Sequence, residues 1–477
     1  MGLRPILATS LLLAVGACDR GAHGETCPPE PPAVPKAGAS TAPSDAPVTR
    51  IGRRRDVADT MARVDPARIR RRVDRLAAFG TRHTLSRTDS PDRGIGAARS
   101  HLVEVMQAAA DASQRTDLRV VPLSVRLAPD GRRIDTEAEL VDVMGVIPGV
   151  RPDRAREAVV LLGHYDSRAS DVMDRETDAP GADDNASGTA VVVEAFTALA
   201  QGRFDRSIYC VATAGEEQGL LGARALAEHL DREGIEVVAV LDFDIVGDPT
   251  LAEGGRRDDA VRMFVPYDPA LRTRKAVERA MALGTFHDGP SAHLARHVAE
   301  IARAYGTLRP HPILRADRFL RGGDHLPFAE AGRPALRFSE FGETYTRQHQ
   351  DVRTEGGVHY GDLPEFVDAA YVADVARLAV AVAAHVADAP RPPTGVRFAN
   401  EGLATDTTLV FEPSPDAVAH EVLVRPTHVF SWQEAFEADA SGRVVVPRRI
   451  DDAVFAVRAV DAKGRRSLAV TPVLPAR

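Results

Sequence analysis

At 477 residues the chain can hold two or three domains, and its 44% hydrophobic and 27% charged composition is that of a globular protein. A net charge of −8 gives no general electrostatic case for nucleic-acid binding. Three cysteines are too few for a disulfide framework.

Arg4 precedes an apolar run from Ile6 to Val15, too short to span a bilayer and right for the core of an export signal. Leu13-Ala14-Val15-Gly16-Ala17 leads into Cys18, a pattern that resembles a bacterial lipobox. The expectation is a lipoprotein signal peptide over 1–17, with lipidation of Cys18; the plainer alternative is an ordinary signal peptide. It makes the chain an exported protein, lipid-anchored to a bacterial membrane and facing periplasm or cell surface. Residues 18–50 are rich in Pro, Ala, Gly and Ser and read as a disordered tether.

From 51 to about 115 the apolar spacing is helical: Ile69, Val73, Leu76 and Ala77 share one face, and Ala97, Leu102, Val105 and Met106 suggest another. The arginines at 53–55 and 70–72 read as a solvated face rather than a lipid contact. From about 118 to 390 strand-like runs (158–162, 207–212, 237–245) alternate with alanine-rich amphipathic helices at about 186–200, 219–232 and 363–388. Such alternation predicts a three-layer α/β/α domain with a mostly parallel mixed sheet, here 51–390 with its N-terminal helices. After Pro390-Arg391-Pro392-Pro393 the texture changes to short alternating runs separated by turn residues, which predicts a small all-β sandwich over 394–477. Its Trp432 and the run Val457-Arg458-Ala459-Val460 resemble a fibronectin type III module, a candidate contact for polysaccharide or protein.

Five segments carry the chemistry: Gly163-His164-Tyr165-Asp166-Ser167, Gly181-Ala182-Asp183-Asp184-Asn185, Ala214-Gly215-Glu216-Glu217, Leu241-Asp242-Phe243-Asp244-Ile245-Val246-Gly247 and Gln348-His349-Gln350-Asp351. The first, third and fourth follow apolar strand-like runs, and in such sheets ligands sit beyond the carboxyl ends of the strands. Carboxylates gathered there repel one another and are costly to desolvate, so a cation is expected to compensate them. His with Asp and Glu is a ligand set suited to zinc.

In order and spacing these segments resemble the co-catalytic di-zinc exopeptidases: bacterial leucyl aminopeptidases, glutamate carboxypeptidases and the related glutaminyl cyclases. The resemblance covers about 130–390 and implies two Zn2+ per chain and peptide substrates. Carried over, His164 binds one zinc and Asp166 orients it. Asp183 bridges both metals, with Asp184 and Asn185 shaping the turn. Glu216 is the general base, Glu217 and His349 hold the second zinc, and Asp244 completes the first. The implied reaction is aminopeptidase hydrolysis by zinc-bound hydroxide, with Glu216 passing the proton to the leaving amine. Two positions carry rivals: Asp242 for Asp244, and His325 for His349, because His349-Gln350-Asp351 departs from the family's His-Thr-x-x-Asp. A one-zinc cyclase-like acyltransferase and an inactive binding protein are the alternative functions.

Other features read as structural. His293 and His297 lack the Glu of a His-Glu-x-x-His motif and read as a surface helix. Gly94-Ile95-Gly96 lacks the glycine and strand of a dinucleotide site, Cys210 reads as core, and Ser167 and Ser187 lack a nucleophile's context.

Overall fold

The computed structural model describes residues 47–48, 50–400, 402 and 404–474. The expected signal peptide, Cys18 and nearly all of the tether lie outside the described residues. The described residues begin with three helices, α1 (Arg55–Met61), α2 (Pro66–Ala77) and α3 (Gly94–Ala112). Asp65 caps α2 by accepting from the Ala67 amide, Pro66 occupies the first turn, and Ile69, Val73, Leu76 and Ala77 form the buried stripe their spacing predicted. In the first turn of α3 a Cβ on Gly94 would meet the Arg87 carbonyl at 2.4 Å and one on Gly96 the Thr88 backbone at 2.5 Å, so the two glycines there serve packing.

The central sheet has eight strands: β1 (Arg119–Leu127), β2 (Ala138–Ile147), β3 (Glu157–His164), β4 (Ser207–Thr213), β5 (Glu236–Phe243), β6 (Ala260–Phe264), β7 (Arg309–Ile313) and β8 (Ala335–Ser339). Their order is β1-β2-β4-β3-β5-β8-β6-β7. The pairs β4–β3, β3–β5, β5–β8 and β6–β7 are parallel, and the other three neighbours are antiparallel. Every residue of β3 and β4 is buried, as befits central strands covered on both faces. Helices α4 (Gly188–Leu199), α5 (Leu221–Arg232), α6 (Arg274–Ala282), α7 (Pro290–Tyr305), α8 (Leu326–Glu330) and α9 (Ala369–Asp388) complete this part. α1 to α4, α7 and α9 share one apolar cluster with one face of the sheet, and α5 and α8 share another. α9 is long and apolar enough to cross a bilayer, yet it is a core helix packed on α4. It begins later than its apolar spacing suggests, because Asp368 caps it after a short 3-10 turn at Pro364–Phe366.

A hairpin of β9 (Arg353–Glu355) and β10 (Val358–Tyr360) projects between β8 and α9. The C-terminal strands β11 (Thr394–Phe398), β12 (Thr407–Glu412), β13 (Ala419–Pro426), β14 (Glu434–Ala438), β15 (Arg443–Val446) and β16 (Ala453–Val460) form two three-stranded antiparallel sheets, β11-β12-β15 and β14-β13-β16. Phe398, Leu409, Val422, Val424, Phe455 and Val457 fill the space between them. This module is fastened to α7 and the turn before it by buried ion pairs, Arg458 with Glu300 and Arg425 with Asp288. His293 and His297 lie in that contact and are buried, which corrects the expectation of a surface helix. The arginines of the N-terminal helices are likewise not all solvated: Arg68 and Arg72 pair with the buried Glu194, and Arg54 with Asp388.

Candidate metal centre

Three of the five segments continue directly from the carboxyl ends of parallel neighbours: His164 ends β3, Glu216 and Glu217 follow β4, and Asp244 follows β5. The second segment is a turn, Gly181–Ser187, packed against the carboxyl ends of β3 and β5. It approaches so closely that a Cβ on Gly188 would lie 1.8 Å from the Phe243 carbonyl oxygen, so only glycine fits. The fifth segment hangs from the loop after β8, where His349 takes a φ of 53°. A non-glycine residue held in that region costs on the order of 1 kcal/mol and persists where its surroundings fix it.

Two triads of donor atoms result, His164–Asp184–Asp244 and Asp184–Glu217–His349, each with its atoms within 4.8 Å of one another. Asp184 belongs to both, and its two oxygens divide between them. Oδ1 lies 3.3 Å from His164 Nε2, and Oδ2 lies 3.0 Å from His349 Nε2. Asp244 Oδ1 is 3.6 Å from His164 Nε2, and Glu217 Oε1 is 3.0 Å from His349 Nε2. Neither His164 Nε2 nor Asp244 Oδ1 makes a well-formed hydrogen bond among the described residues, although both are buried. Ligands about 2.0–2.2 Å from a zinc ion stand roughly 3.4 Å apart around it, so these spacings and these unpartnered atoms fit a cation in each triad.

The electrostatics point the same way. Burial opposes a charged His164, yet Asp166, Asp184 and Asp244 outweigh it and raise the imidazole well above its ordinary value. Burial likewise opposes charge on His349, and Glu217 with Asp184 raises it to about 9. Each imidazole is thus drawn toward positive charge where a cation would otherwise supply it. The half-buried Glu216 differs. Burial pushes its carboxyl well above the usual range, His164 opposes this, and Glu217, Asp244 and Asp324 reinforce it.

The expected bridge, Asp183, is not where the resemblance placed it. Its Oδ1 accepts from the Gly247 amide at 2.7 Å, and its carboxyl pairs with Glu340 away from both imidazoles. The backbone of the turn presents Asp184 to the cluster instead, so the position expected of Asp183 is occupied by its neighbour. Asp166 lies behind His164, whose Nδ1 faces the Asp166 carbonyl at 3.2 Å and its carboxylate Oδ1 at 3.4 Å; that carboxylate is fixed by Thr84 Oγ1 at 3.0 Å and by the Glu216 and Glu217 amides. Both rivals fall outside the triads: His325 Nδ1 faces Asp242 at 3.3 Å and its Nε2 faces the Ala316 carbonyl at 2.8 Å. Ser167 and Ser187 spend their hydroxyls on backbone carbonyls, and Cys210 is a core residue of β4.

Several contributing residues carried no signal in the sequence. Arg337, fully buried, donates to Asp244 Oδ2 at 2.9 Å and leaves Oδ1 facing His164. Against burial, Arg337 and then His164 hold Asp244 at about 2. Arg82 donates to the carbonyls of Tyr165, Gly181, Leu76 and Pro180, and Asp362 accepts from the amides of Asp183 and Asp184. An isolated arginine or aspartate far from a motif looks like any surface charge. A separate cleft of about 920 Å3, between α6 and the C-terminal module, opens at the amino ends of β3 and β5 and contains none of these groups.

Residues 142–360 match the profile of Peptidase family M28. A probable zinc metalloprotease of Leptosphaeria maculans is 39% identical over 403 residues, 84% of this chain and 93% of that protein. Another, of Pyricularia oryzae, is 38% identical over 429 residues, 87% of this chain and 84% of that one. Among solved structures, LapB from Legionella pneumophila shares the fold, with a TM-score of 0.50 at 19% identity over 71% of this chain and 77% of that one.

Proposed function

Because the chain belongs to peptidase family M28, a family of zinc metallopeptidases acting on peptides, we propose that it is a two-zinc aminopeptidase. The observation that carries the two-metal reading is the division of Asp184 between His164 and His349. His164, Asp184 and Asp244 would hold one zinc, and Asp184, Glu217 and His349 the other. When bound, such ions supply Lewis acidity toward the scissile carbonyl and the attacking water.

The protein's own part follows from the geometry. Asp166 meets His164 Nδ1 through its backbone carbonyl at 3.2 Å and its carboxylate at 3.4 Å and so directs Nε2 into the cluster, a usual arrangement behind a liganding imidazole. Arg337 occupies one oxygen of Asp244 and commits the other. Glu216 is the residue to take a proton from the attacking water and deliver it to the nitrogen of the leaving amine. Its carboxyl is raised by burial and is held beside the cluster through its amide on Asp166. Two complete donor sets speak against a one-zinc cyclase, and an intact Glu216 speaks against a protein that only binds.

The aminopeptidase assignment rests on the motif resemblance and is tested with a panel of aminoacyl substrates and their N-blocked counterparts. Release of N-terminal residues from free-amine peptides supports it; cleavage of N-blocked peptides alone refutes it. Export and lipid attachment at Cys18 complete the proposal. They are tested by metabolic labelling with a fatty acid, which Cys18→Ser should abolish.

A further inference from the structure

Asp362 lies beyond the family-matched stretch and beyond the β9–β10 hairpin, yet its carboxylate is buried beneath the turn that carries Asp184. Oδ1 accepts from the Asp183 amide at 2.8 Å, and Oδ2 from the Asp184 amide at 2.7 Å and the Asp183 amide at 3.0 Å. Its own carbonyl accepts from the Ala182 amide at 3.4 Å. Consecutive amides of the turn are therefore aimed at one residue. From the other side the Arg82 guanidinium takes the carbonyls of Pro180 and Gly181. The turn is held by its donors on Asp362 and by its acceptors on Arg82, so neither set of buried backbone groups is left unmade.

The same excursion of chain, from Gln348 to Asp362, also supplies His349. Gln348 Nε2 donates to Asp184 Oδ2 at 3.1 Å, and His349 Nε2 stands 3.0 Å from that oxygen. Asp351 and Ser170 exchange hydrogen bonds of 2.9 and 3.0 Å that pin the loop over the site. The excursion thus touches Asp184 at both of its ends, from the side-chain side through Gln348 and His349 and from the backbone side through Asp362.

We propose that Asp362 is a positioning residue for the metal centre: it fixes the backbone of Asp184 relative to His349, so that one carboxylate can serve both ion sites. It touches neither substrate nor ion. Rotation of the Asp184 backbone would carry its two oxygens out of register with imidazoles that approach from different strands and loops. A small error there is felt at both sites at once. Residues in this relation to metal ligands commonly change affinity by about 10–100-fold when removed.

The inference rests on the two-zinc reading, and the experiment separates the two. Zinc affinity of the full chain is measured by competition with a chromogenic chelator for the wild type, Asp362→Ala and Asp362→Asn, with thermal unfolding of the zinc-free and zinc-loaded forms and with kcat and KM. Asp362→Asn keeps the shape and one acceptor, and serves where the alanine variant folds poorly. The expected result is zinc binding at least about tenfold weaker in both variants, with kcat reduced more than KM is raised, and a smaller zinc-induced rise in Tm than in the wild type. A wild type that binds no zinc would overturn the reading of the site itself. A wild type that binds two ions, beside variants within twofold of it in affinity and with Tm lowered equally in the zinc-free and zinc-loaded forms, would overturn only the role of Asp362 and make it a structural residue.

Discussion

The contact between α7 and the C-terminal module offers a quantitative test of how the chain is held together. Glu300 is 3% exposed and accepts from Arg458 Nη1 at 2.7 Å, from the Arg50 amide at 2.5 Å and from the Ile51 amide at 3.0 Å. Burial alone would raise its carboxyl. Arg458 first, and then the Arg50 amide, overcome this and bring it from the ordinary 4.5 to about 2. A depressed acid stabilises the folded state above its unfolded pKa and loses that contribution as pH falls through the folded one. At about 1.4 kcal/mol per pH unit, the shift corresponds to about 3 kcal/mol at neutral pH, fading between pH 4.5 and 2. Removing one member of a buried pair costs about 3–5 kcal/mol when the partner is left alone, and Arg458 keeps Glu421 at 2.8 Å, which sets the cost at the lower end of that scale. Glu300→Gln should therefore unfold more easily than the wild type in urea at pH 7 by roughly this amount. The gap should narrow as the pH is lowered through 4. A variant within 0.5 kcal/mol of the wild type at pH 7, or a gap that does not depend on pH, would refute the argument that this charge fastens the module.

Other consequences concern the site. Glu216→Gln should retain its zinc and lose about 10²-fold or more in kcat, and near-normal turnover would remove the residue from the reaction. A strong chelator should abolish peptidase activity and added zinc restore it; activity that survives complete metal removal would contradict a metal-dependent reaction. His325→Ala should leave the zinc content unchanged and destabilise the fold by about 1–3 kcal/mol, because Asp242 and the Ala316 carbonyl lose a buried partner. A loss of metal in that variant would reinstate His325 as a ligand.

The α/β alternation, the carboxyl-end location of the chemistry and the β-rich C-terminus were legible in the sequence because each rests on a repeating pattern of apolar residues. His164, Glu217 and Asp244 were legible because each ends or closely follows a buried strand, where an ionisable side chain stands out. Asp183 and Asp184 were not separable in the same way. They are adjacent, identical and in an irregular turn, and which of them faces the imidazoles is decided by backbone geometry that no side-chain period encodes. Asp242 and Asp244 have the same parity on a strand. They divide because β5 ends at Phe243, freeing Asp244 from the pleat while Asp242 is taken by His325. Arg82, Arg337 and Asp362 reach the site from 83 residues before Tyr165, 93 after Asp244 and 178 after Asp184 respectively. Only the tertiary fold reveals them. His293 and His297 misled for the opposite reason: their helix looked exposed until a second module was laid against it.

The proposed sharing of Asp184 between two zinc sites is tested most directly by counting zinc per chain in purified wild type, Asp184→Asn and Asp183→Asn. Two ions are expected in the wild type and in Asp183→Asn, and fewer than two in Asp184→Asn. Two ions retained by Asp184→Asn, with metal lost from Asp183→Asn instead, would contradict it.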